Sequence, residues 1–385
     1  MIYRKAEFIP YRPKTILNTH KHPDHWFWTR YTAYPYIGCQ HGCEFCYCRE
    51  SKYAPYDELD DFPYKIKIKE NAPALFRKAL SKVPTGLVAV GDYQPVEKKY
   101  MFSRKMLEIC LELGFPVFVL ERSPLVLRDL DLLLDINKKT HATVVFSIIH
   151  TAGSTHADKI SRMERLSPPP SKRYEAMEKL AAAGIRTGVS FMPILPGLCD
   201  TEENLRLVIQ KTADHGGKFI LAAPLTLADQ QKAYVFGYLE KNHPELLESY
   251  RRIYPPKSYG PKWDTWLKTG RCVREICAEV GIPDRMLRPL IPGEKREANK
   301  RAAEMLADET YTLELEGASQ ARMWAYRKAA WAVEEFGQDI RLVYNQLGLR
   351  GLQNIRGVGT STGARIESFL TKEGLVEKPF SHESA

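Results

Sequence analysis

The strongest constraint on this chain is an alternation running from residue 31 to residue 222. Short β-branched and apolar runs take turns with longer runs whose apolar positions recur at helical spacing. This pattern predicts strands at 31–36, 86–90, 116–120, 142–149, 185–192 and 218–222, with helices at 98–113, 125–137, 171–183 and 202–215. Strands so continuously apolar belong in a parallel sheet covered on both faces, and an incomplete barrel is the economical closure. The expected class is α/β, a partial (β/α)6 barrel of TIM type. In such sheets the loops at the carboxyl ends of the strands converge and carry the chemistry.

The first of those loops is IGCQHGCEFCYCR, residues 37–49, with Cys39, Cys43 and Cys46 in a C-x3-C-x2-C array and Phe45 just before the third cysteine. Thiolates are the ligands of iron–sulfur clusters, and three on one short loop hold three irons of a [4Fe–4S] cluster while leaving the fourth open. Gly38 and Gly42 let the loop curl, since glycine adopts left-handed dihedrals without steric cost. A zinc site would more often show paired C-x2-C units or Cys/His partners, and Cys272 and Cys277 are too loosely spaced to complete one. Cys48 stands open as a fourth ligand, which would close the cluster and make the protein a non-catalytic DNA-binding sensor. Only one residue separates it from Cys46, so both reaching one cubane would strain the loop.

The other rim segments are Gly91 to Gln94 with Asp92 and Tyr93, Ser147 late in the fourth strand, MPILPGLC with Ile194 and Cys199 after the fifth, and AAPL after the sixth. The cysteine spacing resembles the signature of the radical S-adenosylmethionine (radical SAM) superfamily. With DYQPVEKKY, FPVFVLERSPLVLRDLDLL, PPPSKRYEAMEKLAAAGI and TGVSFMPILPGLCDTEENL, it resembles more narrowly the spore photoproduct lyase-like branch. The resemblance implies a [4Fe–4S] cluster on Cys39, Cys43 and Cys46, whose open iron chelates S-adenosylmethionine. Reductive cleavage would then give a 5'-deoxyadenosyl radical, fed by a reductase or a flavodoxin- or ferredoxin-type donor. It also implies that Asp92 meets the amino acid end of the nucleotide, Ser147 its ribose, and the backbone around Phe45 and Ile194 its adenine. Ser147 can equally satisfy a strand-end carbonyl. One departure bears on the reaction: spore photoproduct lyase uses a cysteine on its second-strand side to return hydrogen, and residues 87–94 contain none. Cys199 and Tyr93 are the candidates to replace it.

Residues 1–30 read as a polar extension, in which His20, His22 and His25 either bind metal or simply pack. Residues 232–288 read as helices with Tyr and Trp interleaved among basic residues, suited to stacking bases or to closing the barrel. The prolines at 283, 289 and 292 suggest a linker ending the barrel domain, 31–290. Beyond it, 296–376 has its own helical pattern, with helices at 297–307, 318–336, 340–347 and 352–370, and 377–385 reads as a tail.

Within that module NIRGVGTSTGARIESFL has the helix-hairpin-helix pattern, with Gly357 and Gly359 at the turn. Unpaired amides at the second helix's start can accept a phosphate oxygen, aided by the helix dipole. Together with MWAYRKAAWAVEEF, it resembles the small lyase domain of the family-X DNA polymerases. That family forms a Schiff base through a lysine; here Arg365 holds the position, and Ser361 holds another of its basic positions. A guanidinium keeps its proton and cannot act as the amine nucleophile. The resemblance therefore implies DNA binding through Gly357, Gly359, Tyr326, Arg327, Lys328 and Arg365 without lyase chemistry.

No apolar run reaches bilayer-spanning length, so no membrane partner is expected. The N-terminus lacks a secretory core and the eight cysteines follow no disulfide framework, which favours a reducing cytoplasm. A formal charge of +9 suits a polyanion. The expected activity is a radical SAM enzyme acting on DNA, by lesion repair or base modification, with RNA or a small molecule as the alternative substrate.

Overall fold

The computed structural model describes residues 4–54 and 56–376. The expected tail, and the first three residues of the expected extension, lie outside the described residues. The chain divides into two compact units. One takes the described residues up to His20 and Thr29–Met286; the other takes Lys21–Trp28 and those from Leu287 onward.

The first unit contains β1 (Glu7–Tyr11), β2 (Asn18–Thr19), β3 (Tyr31–Ala33), β4 (Tyr36–Ile37), β5 (Lys65–Lys69), α1 (Ala72–Leu80), β6 (Val88–Val90), α2 (Glu97–Tyr100) and α3 (Phe102–Leu113). It continues through β7 (Val117–Glu121), α4 (Leu130–Lys139), β8 (Ala142–Ser147), α5 (Ala157–Met163), α6 (Pro170–Ala182), β9 (Arg186–Ile194), α7 (Glu202–Asp214) and β10 (Ile220–Pro224). Three further helices, α8 (Asp229–Asn242), α9 (Pro244–Ile253) and α10 (Trp263–Val280), complete it. The main sheet runs β10-β9-β8-β7-β6-β3-β2, and all its neighbours from β3 to β10 are parallel. No ladder among the described residues joins β10 to β2, so the barrel is open, as the alternation predicts.

The structure differs from the sequence reading in places where the backbone breaks a run. The first strand splits after Ala33: Pro35 has no N–H to donate, and Tyr36 and Ile37 pair instead with Ile68 and Lys67 of β5. The stretch 1–30 is not merely a polar extension, because β1 pairs in parallel with β5 in a separate three-stranded sheet. The helix expected at 98–113 is interrupted by Met101, whose φ of 53° is left-handed. The aromatic residues of 232–288 divide: Tyr250, Tyr254 and Trp266 are buried in the core, while Tyr259 and Trp263 stay exposed.

Among the described residues the second unit has four helices: α11 (Glu297–Leu315), α12 (Gln320–Glu335), α13 (Ile340–Gln353) and α14 (Thr360–Lys372). α11 runs past the expected end at 307, and the helix expected at 352–370 is cut by the hairpin turn. Ser319 and Asp339 cap α12 and α13 by accepting the N–H groups of Arg322 and Arg341. Arg288 is tied here by its guanidinium to Glu334 at 2.9 Å and by its N–H to Glu304 at 2.6 Å. His22 stacks on Trp331 at 4.6 Å and bonds Glu335 at 3.0 Å; His25 tilts against the same indole. His22 and His25 therefore pack against Trp331, and no metal-holding group of His, Cys, Asp or Glu occurs among the described residues.

Candidate cofactor site

The cysteine loop follows β4, the displaced end of the first expected strand, and its shape depends on two glycines. Gly38 has φ +85°, and a Cβ there would stand 2.5 Å from the Tyr56 hydroxyl and 2.9 Å from the Lys65 carbonyl. Gly42 has φ +58°, with Pro63 at 2.9 Å from its missing Cβ. Only glycine satisfies both the dihedral and the space.

Three side chains outside the candidate list hold the loop. Arg49, 1% exposed on its side chain, donates to the Cys43 carbonyl (3.2 Å), the Gly42 carbonyl (3.3 Å) and the Leu59 carbonyl (2.6 Å). Its guanidinium lies against the rings of Phe62 and Tyr234. Gln94 donates to the Gly38 carbonyl at 3.0 Å and accepts the Gln40 N–H at 2.9 Å. Gln231 donates to the Phe45 carbonyl at 3.2 Å. A buried arginine that spends its donors on carbonyls is a clamp, since each carbonyl would otherwise be desolvated without a partner. Its signal in the sequence was an arginine closing the cysteine run, with nothing local to say what it clamps.

The thiols differ in their surroundings. Burial pushes Cys39 up, and the nearby Asp92 charge pushes it further. Burial raises Cys43 too, against the pull of Arg122, and its sulfur lies 3.6 Å from the Ser167 hydroxyl. Pairing with Cys48 pulls the Cys46 thiol down to about 7, and the same pairing, with burial, pushes Cys48 up. Cys39, Cys43 and Cys46 are close enough to feel one another's charge, yet among the described residues no group converges tightly enough to hold a single ion. That combination fits a cluster, in which each thiolate binds a different iron, better than one zinc ion.

Beside the loop lies a buried charge network. Glu164 bridges Arg122 and Arg173, the second at 2.9 Å, and Arg173 also donates to the Ser147 carbonyl at 2.8 Å. Burial alone would raise the Glu164 carboxyl, but Arg122 and Arg173 outweigh it and hold it down at about 2. Arg122 also lies over the Phe45 ring at 5.5 Å. The triad carries two positive charges against one negative, leaving a net positive charge next to thiolates. Burial, Arg122 and Arg173 push His41 down to about 3, so its imidazole is neutral.

The candidate residues are placed as follows. Asp92 is pushed up to about 7, chiefly by burial, and accepts from Gln94 at 3.1 Å. The Ser147 hydroxyl donates to the Met192 carbonyl at 3.2 Å, which is the strand-end role. The Ile194 carbonyl accepts the Leu225 N–H at 3.3 Å. Tyr93 is wholly buried with its hydroxyl on Asp129 at 3.0 Å, and Cys199 is wholly buried with its thiol pushed up by burial. An enclosed thiol of that kind is poorly placed to meet a substrate. A cavity of about 470 Å³ opens beside the loop, and Tyr93 and His41 line it.

In the second unit Gly357 has φ +101° and packs against Ala332 and the Lys328 carbonyl, which brings Lys328 to the hairpin. Gly359 is extended, φ −99° and ψ −178°, and its N–H donates to the Thr362 hydroxyl at 2.9 Å. Arg365 is paired with Glu309 at 3.1 Å, and Arg327 covers the exposed Trp324. Tyr326 is 6% exposed and belongs to the core, so its ring is not available as a nucleic-acid contact.

Residues 34–208 match the family model described as the radical SAM superfamily. An uncharacterized protein of Mycobacterium bovis is 28% identical over 239 residues, 60% of this chain and 69% of that protein. One of Methanocaldococcus jannaschii is 29% identical over 246 residues, 63% and 86% of the two chains. Among solved structures, a spore photoproduct lyase mutant with bound AdoMet and dinucleoside spore photoproduct has a TM-score of 0.51 at 16% identity, covering 71% of this chain and 80% of that one. That likeness is one of fold. The parallel sheet, the three-thiol loop at its mouth and the family match agree on a radical SAM fold over residues 34–208; members of that family bind a [4Fe–4S] cluster and S-adenosylmethionine.

Proposed function

We propose that the protein is a radical SAM enzyme that acts on DNA, repairing a lesion or modifying a base, with Cys39, Cys43 and Cys46 as the cluster ligands. The observation that carries the reading is the pairing, in one chain, of the clamped three-thiol loop with a hairpin whose second glycine has no structural need to be glycine. A Cβ on Gly359 would meet nothing closer than 4.0 Å, and its φ suits any residue. The absence of a side chain there suits the close approach of a phosphate to the N-terminus of α14.

When bound, the cluster supplies one-electron reductive cleavage of S-adenosylmethionine, the chemistry that begins hydrogen abstraction. The protein's own groups orient and protect. Arg49, Gln94 and Gln231 fix the loop. The Arg122–Glu164–Arg173 triad places positive charge beside the ligands. Asp92, poised near neutrality, is suited to receive an ammonium, and Ser147 and Ile194 lie where ribose and adenine are expected. Gly357, Gly359, Lys328 and Arg327 position the DNA backbone without reading its sequence, and the tether raises the local concentration of substrate. Because the reacting centre is enclosed by loops, the target nucleotide leaves the stack to reach it.

The test is anaerobic reconstitution, reduction with S-adenosylmethionine, and measurement of 5'-deoxyadenosine with and without duplex, gapped or lesion-bearing DNA. Cleavage stimulated by one DNA type supports the reading. Cleavage stimulated by RNA instead, or indifferent to nucleic acid, removes DNA as the substrate.

A further inference from the structure

The cavity of about 470 Å³ beside the cysteine loop draws its wall from four successive loops of the rim. His41 comes from the cysteine loop, Lys98 from α2 after β6, Ser123 from the turn after β7, and Arg165 and Ser167 from the turn after α5. Its size is that of a small-ligand pocket. Phe45, Asp92, Ser147 and Ile194, the residues expected to meet S-adenosylmethionine, do not line it. Ser167 lies 3.6 Å from the Cys43 sulfur, so an occupant sits directly beside a cluster ligand.

The charged lining is entirely cationic. Lys98 is exposed and makes no ion pair among the described residues. Arg165 is loosely engaged, at 3.4 Å from the Tyr64 hydroxyl and 4.0 Å from Glu44. Proline and leucine side chains make up most of the remaining wall, a surface suited to a sugar edge or a base face. We propose that this cavity is the subsite for a phosphodiester-linked nucleotide, with Lys98 and Arg165 gripping the phosphate next to the reacting residue. The inference rests on the DNA reading above and sharpens it. A phosphate held from two different loops fixes the sugar-phosphate backbone, and so fixes which hydrogen faces the reactive centre.

The experiment is calorimetric titration of the reconstituted full-length protein with thymidylyl-(3'→5')-thymidine and with its uncharged methylphosphonate analogue. Native protein is expected to bind the charged dinucleotide about tenfold more tightly than the neutral one, the difference one charge-assisted contact makes. In the double variant K98A/R165A the preference should vanish, with iron content and cluster absorbance unchanged because both side chains are exposed. Equal binding of the two probes, a preference that survives in K98A/R165A, or displacement of the dinucleotide by S-adenosylmethionine would each overturn the proposal. Failure of this subsite alone still leaves 5'-deoxyadenosine formation stimulated by longer DNA. Charge-dependent binding without any DNA-stimulated cleavage would keep the subsite and remove the DNA reading.

Discussion

Two glycine-bearing loops carry the proposed function, and the fold holds them in opposite ways. The cysteine loop needs both its glycines for internal reasons: Gly38 and Gly42 have left-handed dihedrals and would drive a Cβ into Tyr56 or Pro63. It is stitched inward by Arg49, Gln94 and Gln231, all donating to its carbonyls. The hairpin of the helical unit needs Gly357 and Gly363 for its own packing, whereas a Cβ on Gly359 would meet nothing closer than the Thr362 hydroxyl at 4.0 Å. A cofactor that must be held in one geometry asks for a loop fixed from within. A phosphate that arrives from outside asks for a backbone left bare.

The largest effect that could break this comparison lies in the thiols. Replacing Cys39, Cys43 or Cys46 singly with alanine should abolish the reconstituted cluster, read as iron content and visible absorbance, while C48A should retain it. If C48A loses the cluster and one of the other three keeps it, the ligand assignment is wrong. Glu164→Gln comes next, because it strands two buried guanidinium groups and should cost about 3–5 kcal/mol in chemical denaturation. The carboxyl, at about 2 in the fold against 4.5 ordinarily, is depressed. Its stabilising contribution, about 3 kcal/mol, is therefore complete above about pH 4.5 and lost as the pH falls toward 2. Denaturation midpoints at pH 6 and pH 3 should converge in E164Q relative to the native chain.

The glycines test the comparison directly. Gly38→Ala should destabilise by about 2–4 kcal/mol, through both strain and overlap. Gly359→Ala should change stability by no more than about 0.5 kcal/mol, yet weaken binding to a labelled duplex about five- to tenfold by holding the phosphate off. A G359A variant that unfolds, or one that binds DNA as well as the native protein, would erase the distinction. The smallest effect expected is that of Arg365→Ala: the exposed pair with Glu309 contributes at most about 1 kcal/mol to stability, measurable as a small shift in thermal midpoint.

Much of the first unit could be read from residue order. The apolar runs at 86–90, 116–120 and 218–222 fall on or beside observed strands because a strand buried on both faces needs little from its surroundings. The cysteine spacing was equally plain. What stayed hidden depends on partners far along the chain. β1 is a strand only because Lys65–Lys69 lies beside it. Arg49 and Gln94 became loop clamps through carbonyls that no local pattern announces, and Arg122, Glu164 and Arg173 come from three separate segments. Tyr326 and Cys199 looked available in the sequence and are buried, since helical or loop periodicity does not say which face meets the core.

The sequence by itself determined the parallel architecture, the place of the thiol loop at its mouth and the glycine turn of the hairpin. These follow from period, spacing and the dihedral freedom of single residues. Only the tertiary structure decided where the buried cations stand, that Ser147 spends its hydroxyl on the Met192 carbonyl, and that a cationic cavity opens beside Cys43. Each of these depends on distance between segments remote in the chain, and burial sets the strength of every such contact.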